Sequence, residues 1–334
     1  MAILVTGGAG YIGSHTCVAL LASGYDVVIL DNLTNSNKQA VSGIEEIAGS
    51  KVRFYEIDLR DTEEVRKVFG REKIDAVIHF AGFKAVGESV EFPLMYYNNN
   101  LGATLSLLSV MAEFEVKNLV FSSSATVYGN PKTVPIDEDF PLFATNPYGR
   151  TKLMIEEILT DISQADKAMN ISILRYFNPA GAHKSRLIGE NPKGIPNNLF
   201  PFISRVSSGK LSKLSVFGND YATKDGTGVR DYIHVCDLAD GHVSALKNFE
   251  TEGGLTVYNL GTGIGYSVLD IIDAFERANG LKIPYEITGR RSGDIDACYA
   301  NPDKAFRHLK WQAKRDLKEM CEDAWMFEIK HLKA

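Results

Sequence analysis

In the stretch NPYGRTK, Tyr148 and Lys152 stand four residues apart at the start of a helical pattern. On a helix, positions i and i+4 share one face. A lysine charge one turn from a phenol would lower the phenol's pKa and let Tyr148 lose and regain a proton near neutral pH. Spacing alone does not separate such a pair from coincidence. Tyr128 and Lys132 share it, yet Pro131 lies between them and disfavours a regular helix there. Three serines sit in the run FSSSATVYG (121–129). The last of them, Ser124, could hydrogen-bond the same substrate hydroxyl that Tyr148 would deprotonate. A serine at a strand end also serves as a plain cap.

A second set of residues suits a dinucleotide. TGGAGYIG (6–13) follows an apolar run and opens a helical one, placing Gly7, Gly10 and Gly13 at regular spacing, and it also reads Gly8-x-Gly10-x-x-Gly13. Glycines allow the tight turn and let backbone N–H groups approach a pyrophosphate at a helix N-terminus. Asp31 ends the second apolar run about 20 residues on, where a carboxylate can bond both ribose hydroxyls. It would repel a 2′-phosphate, and DNLTNSN (31–37), which holds Asn32, Asn35 and Ser36, has no arginine to receive one. NAD is favoured over NADP. Asp58 ends a third run, where a solvated strand-end carboxylate is an equal reading on spacing. FAGFKAVGES (80–89) brings small residues, Ala81 and Gly82, to the end of a fourth, as a strand end passing close to a cofactor would.

These residues need a scaffold. Residues 2–7, 26–31, 52–58, 76–82, 118–125 and 171–178 are apolar runs without alternation, the pattern of strands buried on both faces. Helical stretches lie between them, the clearest over 93–115 and 148–166. The alternation predicts an α/β fold with a doubly wound parallel sheet, a Rossmann domain. After Asn178 the chain turns rich in Gly, Pro and Asn, as an irregular loop. The remainder mixes short strands (LTVYNLG, IPYEIT) with helices (SVLDIIDAFERANG, DLKEMCEDAWMFEIKH). This predicts an NAD-binding domain over 1–180 and a smaller α/β substrate-binding domain over 181–334, with a segment near 230–250 returning to the first.

The 334 residues are 45% hydrophobic and 23% charged, an ordinary globular composition, with a net charge of -6 that gives nucleic-acid binding little support. An anionic substrate would be held by local donors. The four cysteines, Cys17, Cys236, Cys298 and Cys321, are scattered without C-x-x-C, and the histidines show no metal-ligand spacing. The reading is no metal, no signal peptide, no membrane span and a cytoplasmic setting.

Together TGGAGYIG, Asp31, Ser124 and Tyr148-x-x-x-Lys152 resemble the extended short-chain dehydrogenase/reductase family. VIHFAGFKAVGESV, RYFNPAGAH, GIPNNL, GNDYATKDGTGVRDYIHVCDLADGH and YNLGTG extend the resemblance, over nearly the whole chain, to the UDP-glucose (UDP-galactose) 4-epimerases of that family. The resemblance implies reversible C4 epimerisation of UDP-hexoses through hydride transfer to tightly bound NAD and a 4-keto sugar. It implies Tyr148 as acid/base, Lys152 as the group that lowers its pKa and binds the nicotinamide ribose, and Ser124 as the group orienting the sugar hydroxyl. Tyr11, Ile12, Asp31, Asn32, Ser36, Asp58, Leu59, Phe80, Lys84, Asn99 and Phe177 match positions that hold NAD. Asn178, Asn198, Leu199, Phe217, Arg230, Arg291 and Asp294 match positions that hold the UDP-sugar. The family also implies a homodimer built through a helix pair, for which 93–115 and the helix from 148 would serve.

One position bears on substrate. Within this resemblance, a tyrosine at the place of Cys298 goes with glucose and galactose only, and a small residue goes with room for a 2-acetamido group. Cys298 therefore suggests UDP-N-acetylhexosamines as further substrates, against the plainer reading of an inert packed cysteine. Two rival functions remain. A nucleotide-sugar 4,6-dehydratase would need an Asp-Glu pair just after the strand-end Ser, where this chain has Ala125-Thr126. A non-catalytic NAD or sugar-nucleotide sensor would have no need of Ser124, Tyr148 and Lys152.

Overall fold

Ile3, Leu4 and Val5 are all fully buried, so their strand is covered on both faces. The computed structural model describes residues 1–291 and 293–332. Its first half runs β1 (Ala2–Thr6), α1 (Tyr11–Ala22), β2 (Asp26–Asp31), α2 (Lys38–Ala48), β3 (Arg53–Glu56), α3 (Thr62–Arg71), β4 (Ala76–His79), α4 (Val86–Glu91), α5 (Pro93–Glu113) and β5 (Asn118–Ser124). There follow a 3-10 turn (Ala125–Tyr128), α6 (Pro147–Ala165), β6 (Asn170–Tyr176) and β7 (Asn178–Ala180). The second half runs α7 (Leu199–Ser207), β8 (Leu214–Phe217), β9 (Val229–His234), α8 (Val235–Asn248), β10 (Leu255–Leu260) and β11 (Gly265–Ser267). It ends with α9 (Val268–Asn279), β12 (Tyr285–Thr288), β13 (Ala297–Cys298), α10 (Asp303–Leu309) and α11 (Leu317–Leu332).

Seven parallel strands form the central sheet in the order β10-β6-β5-β4-β1-β2-β3. The chain builds outward from β1 to β3, then starts again at β4 and builds the other way. That reversal opens a crevice beyond the carboxyl ends of β1 and β4, the place where such sheets bind ligands. One face is filled by residues of α3, α5 and α6, among them Val65, Leu107 and Ile155. The other is filled by α1, α8 and α10, with Cys17, Leu238 and Ala305. The Rossmann architecture is therefore present as the alternating runs predict.

The run LTVYNLG, grouped by sequence with the second half, is β10 at the edge of this sheet, paired in parallel with β6. Tyr258 and Leu260 are fully buried there. Without β10, the edge of β6 would offer unpaired backbone groups. Beyond the sheet, β9 is flanked by β11, β13 and β7, and β8 pairs with β12. These short strands share a third core with α7, α9 and α11, built on Phe200, Ile203, Ile271 and Phe275.

Candidate active site

The first loop of the sheet is a closed turn. Gly10 N–H donates to the Gly7 carbonyl at 3.0 Å, and a Cβ on Gly13 would collide with that same carbonyl oxygen. Gly7 sits at φ +69, and a Cβ there would come within 2.8 Å of the Ala81 nitrogen. The turn and the end of β4 thus touch, leaving a backbone cradle with no side chain in it at the N-terminus of α1. Asp31 closes the cradle. Its carboxylate accepts from Ala9 N–H at 3.0 Å, Leu33 N–H at 2.9 Å and Ser36 Oγ at 2.7 Å. A carboxylate offers about four acceptor positions, so capacity remains for a ribose hydroxyl. Asp58 is held by Arg60 Nη2 at 2.7 Å and by Asn32 Nδ2 at 3.1 Å, and the arginine's hydrogen bonds bring its carboxyl down to about 2.

The catalytic helix starts where the sequence places it. Asn146 caps α6 by accepting from Gly149 N–H at 2.8 Å, and Pro147 occupies the first turn. Tyr148 is thereby presented at the helix entrance, buried in the cleft wall with Ser124. Burial raises the phenol's pKa, and the Ser124 hydroxyl partly offsets this. Lys152 lies one turn further along the same helix. A side chain at i+4 leans back toward the helix N-terminus, and here its ammonium is drawn instead to the Ser122 carbonyl, at 2.7 Å, and over the Phe121 ring. Burial also lowers Lys152 to about 8, against an opposing pull from Glu156. Burial and the Ser124 hydroxyl thus act on the phenol in opposite directions. The lysine stands one turn away as an ammonium that can discharge under mildly alkaline conditions.

Lys84 Nζ and Asn198 Nδ2 both donate to Glu190 Oε1, at 2.9 Å and 2.6 Å, while Glu190 Oε2 is buried without a partner. Asn99 Nδ2 donates to Asn100 Oδ1 at 3.0 Å. All the residues expected to hold the cofactor, with Ser124, Asn178, Asn198 and Leu199, line one cleft of about 570 Å³. These include Gly7, Gly10, Tyr11, Ile12, Gly13, Asn35, Leu59, Phe80, Gly82 and Phe177. The glycine cradle, the acidic closure and the cleft fit a dinucleotide.

The other five expected residues form a second group around β9 and β13. Arg291 stacks over the Phe217 ring at 4.6 Å and donates to Asp294 at 3.0 Å. Arg230 reaches the Ile295 carbonyl at 2.9 Å and lies 4.0 Å from Asp294. Cys298 pairs in register with Arg230 and packs on the apolar cluster that contains Phe177. Burial pushes the Cys298 thiol up to about 11, so it stays neutral. Phe177 and Tyr232 connect the groups: both line the cleft, and Tyr232 feels the charges of Arg230, Arg291 and Asp294. Sequence reasoning missed Glu190 and Lys193, which lie in a loop with no periodic signal, and Tyr176, whose phenol bonds Ser122 Oγ in the cleft wall. Among the described residues, no cluster of His, Cys, Asp and Glu could hold a metal, and no helix is long and apolar enough to cross a membrane.

The sequence model of the NAD dependent epimerase/dehydratase family matches residues 3–261. The chain belongs to that family. It is 61% identical to the UDP-glucose 4-epimerase of Bacillus subtilis (strain 168), over 98% of this chain and 97% of that protein. The crystal structure of UDP-glucose 4-epimerase from Bifidobacterium longum, in complex with NAD+ and UDP, is similar with a TM-score of 0.97 and 51% identity, covering 99% of each chain. The UDP-Glc/GlcNAc 4-epimerase from Campylobacter jejuni is similar with a TM-score of 0.86 and 39% identity, covering 98% of this chain and 99% of that one. With these relatives, the chain stands among the UDP-glucose 4-epimerases of the epimerase/dehydratase family, and NAD is its cofactor.

Proposed function

We propose that the chain interconverts UDP-glucose and UDP-galactose, and UDP-N-acetylglucosamine and UDP-N-acetylgalactosamine, by inverting C4 of the bound sugar. The observation that carries this reading is the buried Tyr148 beside Ser124, opening into the same cleft as the glycine cradle. When bound, NAD supplies the acceptor and donor of the C4 hydride and a positive charge beside the phenol. Gly7, Gly10 and Gly13 with the α1 N-terminus would hold its pyrophosphate, Asp31 its ribose, and Lys152 and Phe177 its nicotinamide end.

Tyr148, as phenolate, takes the proton of the sugar 4-hydroxyl, which Ser124 orients. Burial alone makes the phenol a poor base, so its deprotonation depends on positive charge brought near it by Lys152 and the cofactor. Arg230 and Arg291 hold the diphosphate, since a guanidinium fork suits phosphate oxygens. Phe217 gives a flat face for the uracil. With UDP anchored, the keto sugar would turn over so that the opposite face of C4 receives the hydride, and Tyr148 gives the proton back to the C4 oxygen. Because hydride taken up and hydride given back cancel, NAD held by these residues would stay bound from one turnover to the next.

Cys298 supports the acetylated substrates. It is small and neutral, and packs on the apolar cluster that contains Phe177, a residue that lines the cleft. A first lobe over 1–180 joined by a returning segment near 230–250, and by β10, would carry the cofactor, and the rest of 181–334 would carry most of the UDP contacts. Leu94, at 75% exposure, and Leu105, at 49%, leave apolar area on α5 that a second copy would cover, consistent with a homodimer. Proton NMR of the anomeric region, with UDP-N-acetylgalactosamine and UDP-galactose offered together, tests the reading. Conversion of both supports it. Conversion of UDP-galactose alone removes the acetylated substrates, and conversion of neither removes the function.

A further inference from the structure

The loop over 191–197 crosses the cofactor end of the cleft, and its middle is fastened on both sides. Arg205, on α7, donates to the Pro192 carbonyl at 2.7 Å and to the Gly194 carbonyl, the two that flank Lys193. Lys193 reaches the opposite way. Its Nζ donates to the carbonyls of Leu33, at 2.8 Å, and Thr34, at 2.9 Å. Those carbonyls belong to the turn that Asp31 organises through Leu33 N–H and Ser36 Oγ. Lys193, Asp31, Thr34 and Ser36 line the same cleft.

Leu33 adds an independent sign. Its φ is +57, the left-handed region, which costs a branched non-glycine residue on the order of 1 kcal/mol or more. A strained residue of this kind persists only where its surroundings hold it, and its carbonyl is one of the two that Lys193 grips. A second tie, Lys84 to Glu190, joins the start of the same loop to the sheet lobe.

We propose that Lys193 is a latch on the bound cofactor. The loop must swing off residues 33–34 before NAD can leave, and the lysine's two hydrogen bonds oppose that swing. This rests on the reading that NAD stays bound from one turnover to the next. It assigns a role to a residue that contacts the cofactor-binding turn and takes no part in proton transfer.

The test is exchange of bound NAD. The purified, loaded protein is mixed with excess isotopically labelled NAD, desalted at intervals, and its bound nucleotide weighed by mass spectrometry. Lys193→Ala should exchange about tenfold faster than the parent. Lys193→Arg should restore slow exchange, because a guanidinium can still donate to both carbonyls. Equal rates for the parent and Lys193→Ala, with the parent slow, overturn the latch alone. So does an arginine variant as fast as the alanine one. A parent that exchanges completely within the mixing time overturns the retained-cofactor reading, and the latch falls with it.

Discussion

Replacing Glu156 by glutamine should produce two separable effects. Glu156 and Arg175 are each 4% exposed and meet face to face, with Nε 3.1 and 3.2 Å and Nη2 2.6 Å from the carboxylate oxygens. Ser123 Oγ donates to the same carboxylate at 2.5 Å. Glutamine keeps the shape and removes the charge, leaving a buried guanidinium uncompensated. Breaking such a pair costs about 3–5 kcal/mol. With an unfolding entropy of about 2.1 cal/mol/K per residue, a chain of 334 residues has about 0.7 kcal/mol/K in total, so the melting temperature should fall by about 4–7 °C. The second effect is local. Glu156 is the charge that holds Lys152 up against burial. Without it Lys152, already near 8, releases its proton at lower pH. A charged Lys152 assists Tyr148, so activity is lost as pH rises through the lysine's pKa, and the alkaline limb of the kcat profile should move to lower pH. Calorimetry and a pH profile read the two effects. Replacing both Glu156 and Arg175 by methionine should recover most of the stability but not the limb. A Glu156→Gln protein that melts within about 1 °C of the parent, with its alkaline limb unmoved, would refute the reasoning.

Other perturbations address other parts of the site. Tyr148→Phe should lower kcat by about 10²–10⁴ while the purified protein keeps its full NAD content, measured by nucleotide release. Gly13→Ala puts a Cβ against the Gly7 carbonyl, so bound NAD should fall severalfold in the purified protein. Cys298→Tyr should cut turnover of UDP-N-acetylgalactosamine at least about tenfold relative to UDP-galactose, because a ring is far bulkier than the thiol that packs on the Phe177 cluster. Arg291→Ala should raise KM for the UDP-sugar about tenfold with little change in kcat, the mark of lost uniform binding.

The parallel sheet was legible because β1, β2, β4, β5 and β6 are buried on both faces and carry no alternation to confuse. The helical pattern that begins near Tyr148 was legible too, and Asn146 and Pro147 supply the cap and first turn that start α6. β10 was misgrouped because a short apolar run carries no sign of which edge it will join; that is decided by packing, here by α8 against α1. The cleft residues could be named from the turn, the strand ends and the family pattern. Glu190, Lys193 and Arg205 could not. Their partners are main-chain carbonyls, Asn198 and a distant lysine, fixed by the path of an irregular loop that no periodicity records. The direction of the Lys152 ammonium was not legible for a related reason: spacing fixes a helix face, but the Ser122 carbonyl that accepts from it lies on another element.

The central claim is that hydride leaves C4 and returns to it on a cofactor that never leaves the protein. The most direct measurement supplies UDP-galactose deuterated at C4 to the purified protein with no added NAD, and follows the product by NMR and mass spectrometry. The account predicts UDP-glucose with the deuterium still at C4. Product whose C4 deuterium has exchanged with solvent, or no product even after NAD is added, would contradict it.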